Sequence, residues 1–160
     1  MPGCGKTTMG KSLAEICNTS FHDLDRLIEK VAQRAVPEIF NQNGEEYFRA
    51  LERDTLVNFS KTHSLKVLAT GGGTPCFHNN MTFMNQFGIT IFLDQPVDVL
   101  YERLLADRSR PLFSNLSPKE FRIKLESMYA QRRRYYTMAN IITSLTEADK
   151  VATLLSIQND

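Results

Sequence analysis

Gly3-Cys4-Gly5-Lys6-Thr7-Thr8 opens this chain, and its reading decides the fold. The run matches the second half of a phosphate-binding loop, G-x-x-x-x-G-K-[ST], leading into a helix. Small residues let backbone N–H groups turn onto phosphate oxygens without a Cβ in the way. The helix that follows aims its unpaired amides and partial positive charge at the same place. Lys6 can reach the β- and γ-phosphates, and the Thr7 hydroxyl can ligate Mg2+. Met9, Leu13 and Ile16 recur at helical spacing, with Lys11 and Glu15 on the other side. The competing reading is a flexible glycine-rich terminus with a chance Gly-Lys-Thr. Counting back five residues from Gly5 puts the first glycine of the motif one residue before Met1. Met1 is therefore read as an internal methionine, with the strand that feeds the loop lying upstream.

Outward from the loop, strand-like and helical segments alternate. Ser20-Phe21-His22 reads as a short strand, and Asp23 to Arg34 as a helix with Leu24, Leu27, Ile28 and Val31 on one stripe. A short helix around Pro37 to Asn41 stops near Asn43-Gly44. A longer one, Glu45 to Lys61, carries Phe48, Leu51, Leu56 and Phe59. Lys66 to Thr70 is a buried strand ending at three glycines. Met81 to Phe87 is helical, Ile89 to Leu93 is the clearest strand, and Val97 to Arg108 is a helix. The stretch 108–118 is loop-like. Ser117-Pro118-Lys119-Glu120 is a helix start, with a serine cap, proline in the first turn and glutamate three after the cap. That helix runs toward Tyr136, burying Phe121, Leu125 and Met128. Ile141-Ile142 is a last strand, and Thr146 opens a last helix. Strands separated by helices imply an α/β fold, a parallel sheet flanked by helices on both faces. Ligands gather at the carboxyl ends of such strands, where Asp23-Leu24-Asp25, Gly71-Gly72-Gly73 and Asp94 all fall.

With 160 residues, the chain has the length of one domain with a real core. A net charge of +1 gives no global field for nucleic acid or a membrane surface. The arginines are uneven: Arg103, Arg108 and Arg110 cluster, and Arg132, Arg133 and Arg134 run together. This suits a small anionic ligand, or plain solvated helix faces. Cys4, Cys17 and Cys76 form neither a metal pattern nor a disulfide framework, which fits a reducing cytoplasm. Cys4, beside a helix N-terminus, is expected to be a reactive thiol whose alkylation blocks nucleotide binding. No apolar run approaches a membrane span, no signal peptide is visible, and no obvious apolar patch argues against a monomer.

Two motifs carry further chemistry. In Asp23-Leu24-Asp25, one carboxylate can orient Mg2+ through water while the other accepts a hydrogen bond from a substrate hydroxyl. A helix cap with an acid in the first turn explains the same residues. Gly71-Gly72-Gly73 after a strand leaves exposed amides and allows close approach of a ligand, where a plain loop is the alternative.

Together these stretches resemble the shikimate kinases. The resemblance rests on Gly3-Cys4-Gly5-Lys6-Thr7-Thr8-Met9-Gly10, Asp23-Leu24-Asp25 and Glu46-Tyr47-Phe48-Arg49. It continues through Ala69-Thr70-Gly71-Gly72-Gly73, Arg108-Ser109-Arg110-Pro111-Leu112 and the arginine run ending at Tyr136. It implies an ATP-dependent kinase of the nucleoside-monophosphate-kinase-like fold that phosphorylates the 3-hydroxyl of shikimate, with Mg2+ and a mobile lid over 108–118. Gly3, Cys4, Gly5, Lys6, Thr7 and Thr8 would hold ATP, and Thr7 and Asp23 the Mg2+. Asp25 would be the base. Arg49 and one arginine of the run would clamp the substrate carboxylate. Arg132 matches best by its distance to Tyr136, with Arg133 next; Arg134 stands where the family usually has proline. Gly71, Gly72 and Gly73 would contact shikimate. Arg110 resembles the lid arginine over the phosphates, and Arg103 the one near adenine. Phe48 would line the ring of the substrate or simply pack in the core. Other readings are a kinase acting on gluconate or a nucleoside monophosphate, or a non-catalytic nucleotide-binding relative.

The resemblance also implies strand order 2-3-1-4-5, with the first strand, missing from this chain, in the middle. Each unmet buried backbone group costs about 1–3 kcal/mol, and domain stability is only about 5–15 kcal/mol. The chain as written is therefore expected to be unstable alone, with its turnover compromised.

Overall fold

The structure, a computed structural model, describes residues 1–61, 65–106, 116–144 and 147–157. It opens on helix α1 (Lys6–Ile16), strand β1 (Ser20–Asp23), α2 (Leu24–Ala32) and α3 (Val36–Ser60). Strand β2 (Lys66–Ala69), a 3-10 turn (Thr74–Cys76), α4 (Asn80–Phe87) and β3 (Ile91–Leu93) follow. Then come α5 (Val97–Ala106), α6 (Pro118–Tyr136), β4 (Ile141–Thr143) and α7 (Ala148–Ile157).

Among the described residues the strands form two parallel pairs. Ser20 to Asp23 run beside Lys66 to Ala69, and Ile91 to Leu93 beside Ile141 to Thr143. These are the neighbours that the order 2-3-1-4-5 creates on either side of its first strand, and the pairs do not hydrogen-bond to each other. Consecutive residues of β2 point to opposite faces. Val67 packs against the buried cluster that includes Met9, Leu13, Phe92, Leu100 and Leu125. Leu68 packs against the cluster of Leu24, Ile28, Ile39, Phe48 and Leu56. Helices thus cover both faces, and each sealed Leu or Ile contributes about 1.5–3 kcal/mol of burial.

Local chemistry sets the boundaries. Gly44 adopts φ 82° and ψ 174°, which is not helical, so α3 is two helical stretches divided by a kink at the expected Asn43-Gly44 break. Ser117 caps α6: its hydroxyl accepts from the Glu120 N–H at 3.4 Å, and Glu120 Oε2 accepts from the Ser117 N–H at 2.9 Å. Two expected core positions are instead exposed, Ile16 at 46% and Val31 at 64%. Both lie in the last turns of their helices, past the edge of the surface that covers Leu13 and Ile28. No described helix is long and apolar enough to cross a membrane.

Candidate active site

Strands β1 and β2 are parallel and in register from Ser20↔Lys66 to Asp23↔Ala69, so the motifs that follow them emerge side by side. Asp23 caps α2: its Oδ1 accepts from the Asp25 N–H at 3.0 Å and the Arg26 N–H at 3.4 Å. The cap reading therefore holds for Asp23, and the cap fixes where Asp25 sits in the first turn. Asp25 lies against the glycine turn. A Cβ on Gly71 would come 3.1 Å from Asp25 Oδ1, 3.1 Å from Thr74 Oγ1 and 3.4 Å from Glu52 Oε1. Burial is the main force raising the Asp25 carboxyl above its ordinary value. The charge of Asp23 adds to the rise, the Lys6 ammonium opposes it, and Glu52 and Glu29 add smaller amounts.

The second half of α3 delivers Arg49 to the same turn. Its Nη1 donates to Glu52 Oε2 at 2.8 Å, while Nε and Nη2 donate to Glu45 Oε1 at 3.2 and 3.1 Å. The guanidinium lies 4.2 Å from the Phe77 ring centre, 5.1 Å from Phe48 and 5.9 Å from Phe40. A Cβ on Gly73 would press to 2.6 Å from Arg49 Nη2, so only glycine leaves the fork in place. Phe48 is itself core, 3% exposed and stacked on Phe40.

From α6, Arg132 Nη1 reaches within 3.1 Å of a Cβ position on Gly72, and the Tyr136 hydroxyl donates to the Gly72 carbonyl. Burial pushes the Tyr136 phenol up to about 12, so it stays a donor. Arg133 instead bonds the Tyr129 hydroxyl, which donates to Asp94 Oδ1. Arg132, not Arg133, stands at the glycine turn.

The phosphate loop is built differently. Gly3 and Gly5 take φ +74° and +90°, and Gly5 caps α1. A side chain at Gly3 would meet Leu104 Cγ at 3.1 Å. Arg103 Nη1 donates to the Gly3 carbonyl at 3.2 Å. A cavity of about 270 Å³ opens there, lined by Gly3, Gly5, Thr8, Leu93 and Arg103 among others. Lys6 is half-buried, and Thr7 and Thr8 are exposed. Cys4 also lines this cavity but is only 7% exposed, packed with the Met9 and Leu13 cluster, so its thiol has little open access. Arg110 and most of the 108–118 lid lie outside the described residues.

The structure thus gathers Asp25, Arg49, Gly71, Gly72, Gly73 and Arg132 around one turn, with the Lys6 charge acting on Asp25. Sequence reading missed Glu52, Thr74 and Tyr136. The spacing Arg49-x-x-Glu52, one helical turn, was the available signal for Glu52. Tyr136 was signalled only as the end of the arginine run, and Thr74 carried no signal.

Parallel strands, a glycine loop capping a helix, and a carboxylate within the field of the loop lysine define a phosphoryl-transfer protein of the P-loop class. The family model for shikimate kinase matches residues 2–158, and the chain belongs to the shikimate kinase family. A shikimate kinase of Parabacteroides distasonis is 41% identical over 152 residues, 92% of this chain and 87% of the relative. The solved shikimate kinase of Bacteroides thetaiotaomicron superposes with a TM-score of 0.89 at 34% identity, covering 96% of this chain and 93% of that one. Shikimate kinase from Acinetobacter baumannii, solved in complex with shikimate, gives a TM-score of 0.84 at 32% identity over 98% and 88% of the two chains.

Proposed function

We propose that the chain transfers the γ-phosphoryl group of ATP to the 3-hydroxyl of shikimate, giving shikimate 3-phosphate and ADP. One observation supports this most: the Asp25 carboxylate faces the glycine turn beside Arg49 while the Lys6 charge acts on it. Asp25 accepts the hydroxyl proton as the hydroxyl oxygen bonds to the γ-phosphorus and the bond to the ADP oxygen breaks. Its raised carboxyl makes it a better base than an ordinary aspartate. Arg49 and Arg132 take the substrate carboxylate, whose planar oxygens match a guanidinium fork. Gly71, Gly72 and Gly73 give it room. Gly3, Cys4, Gly5 and Thr8 cradle the phosphates, Lys6 neutralises them, Arg103 flanks the adenine, and Arg110 covers the phosphates from the lid at 108–118.

Among the described residues no three His, Cys, Asp or Glu side chains converge as a metal cage. A phosphate-bound Mg2+ needs only one or two protein oxygens besides phosphate and water. The exposed Thr7 hydroxyl and the Asp23 carboxylate are hard donors of that kind and would hold it. The cation supplies charge neutralisation on the phosphates. Reduced cysteines and the modest charge support a one-domain cytoplasmic monomer without nucleic-acid or membrane partners.

Coupled ADP release with shikimate, gluconate and nucleoside monophosphates tests the reading. Turnover on shikimate alone supports it. Turnover only on another acceptor, or nucleotide binding without turnover, overturns it.

A further inference from the structure

Glu52 is 1% exposed and divides its two oxygens. Oε2 accepts from Arg49 Nη1 at 2.8 Å, and Oε1 accepts from the Thr74 hydroxyl at 2.5 Å. Thr74 is fully buried and fixed on three sides. Its N–H donates to the Gly71 carbonyl at 3.2 Å. Its carbonyl accepts from Asn80 Nδ2 at 2.9 Å, and Asn80 Oδ1 accepts from Arg53 Nη1 at 2.9 Å. Arg53 is held in turn over the Phe83 ring at 4.0 Å. No buried side-chain polar atom among the described residues lacks a partner, and the Thr74 hydroxyl donates to Glu52.

We propose that Thr74 is a positioning residue for acceptor binding: its hydroxyl holds Glu52 to a single bond with Arg49, leaving the Nε/Nη2 edge of the guanidinium open to the substrate carboxylate. This rests on the reading of Arg49 as the carboxylate ligand. A carboxylate matches an arginine fork with both oxygens when it is free to turn. Thr74 prevents that turn by occupying Oε1. In the free protein the open edge is held by Glu45, whose side chain is 58% exposed and easily displaced. Without the hydroxyl, the buried Oε1 loses its donor and swings toward Arg49 or meets the carboxylate of Asp25 across Gly71. The same residue closes the glycine turn, so the turn and the fork are registered through one side chain.

The test is Thr74→Val in the whole chain, which keeps the shape and removes the donor. Shikimate Kd by calorimetry and KM by coupled assay should rise about tenfold, with kcat within about threefold and ATP binding unchanged. Thr74→Ser restores the hydroxyl and should return both constants to within about twofold of the parent. The preference for shikimate over its methyl ester should fall about tenfold in Thr74→Val and stay intact in Thr74→Ser. In an Arg49→Ala background, Thr74→Val should add less than about twofold. Thr74→Ala serves in the same comparison if the valine variant melts early. A folded Thr74→Val with parental shikimate affinity, equal losses for ATP and shikimate, or failure of serine to rescue overturns the inference. If Arg49→Ala weakens shikimate binding and Thr74→Val does not, only Thr74 is misassigned. If Arg49→Ala leaves shikimate binding unchanged, the reading of Arg49 falls and takes this inference with it.

Discussion

Around Asp25 and Arg49, charged groups are held by other side chains. Arg49 is tied to Glu52, Glu52 to Thr74, and three aromatic rings wall the guanidinium. Around Gly5, Lys6 and Thr7, the groups are held by backbone. Two glycines stand at positive φ, a helix terminus lies open, and the hydroxyls face solvent. The difference follows the ligands proposed for each side. A small acceptor brings a single charge and must be oriented, so its partners are fixed before it arrives. Nucleotide phosphates bring several charges and organise the exposed amides and ammonium around themselves.

Asp25→Asn should break the comparison most sharply. Turnover should fall by about 10²–10⁴-fold while ATP binding, measured by calorimetry, survives. A near-parental rate removes Asp25 as the base. On the other side, Lys6→Ala should cost about 10²–10³-fold in kcat/KM and weaken ATP as well. Loss of shikimate affinity alone would show that the two sides are not separate.

The acceptor side also carries a stability cost at Asp25. An unfolded aspartate titrates near 3.8, and burial raises Asp25 above that in the folded chain. Between those two values the folded chain holds the proton more tightly, so stability falls as pH rises through the window. Above the folded value the whole penalty stands. Asp25→Asn should therefore raise the melting temperature at pH 7, with the gain fading as pH drops toward 3.8. An Asn variant that melts lower at pH 7 contradicts this.

The smallest effect expected is at Glu45. It shares Arg49 with Glu52 but from the exposed side. Glu45→Gln should tighten shikimate by less than about fivefold, since exposed ion pairs contribute about 0.2–1 kcal/mol. Weaker binding would make Glu45 part of the substrate site instead of a displaceable occupant.

Much of the arrangement was legible in short stretches. Ser117-Pro118-Lys119-Glu120 announced a helix start because capping is a contact three residues long. Asn43-Gly44 announced the break between the two helical stretches of α3 because glycine takes φ 82° at little cost. Asp23 allowed two readings, cap and Mg2+ ligand, and the structure shows the cap, held by one carboxylate oxygen. Ile16 and Val31 were misplaced because a helical period names a stripe, not how far the neighbouring surface extends. The burial of Cys4 was likewise not legible, because position beside a helix terminus says nothing about which way a side chain turns. The choice between Arg132 and Arg133 needed the packing of α6, since adjacent helical residues point about 100° apart.

By itself the sequence determined the phosphate loop, the alternation of strands and helices, and the glycine turn, all of which depend on residues close along the chain. Only the tertiary structure decided that Thr74 would meet Glu52, that Arg49 would lie beside Gly73, and that Tyr136 would bond Gly72. Those contacts join residues far apart in the chain, and their partners are chosen when β1 and β2 pair and the helices bury their apolar faces, a step no local spacing encodes.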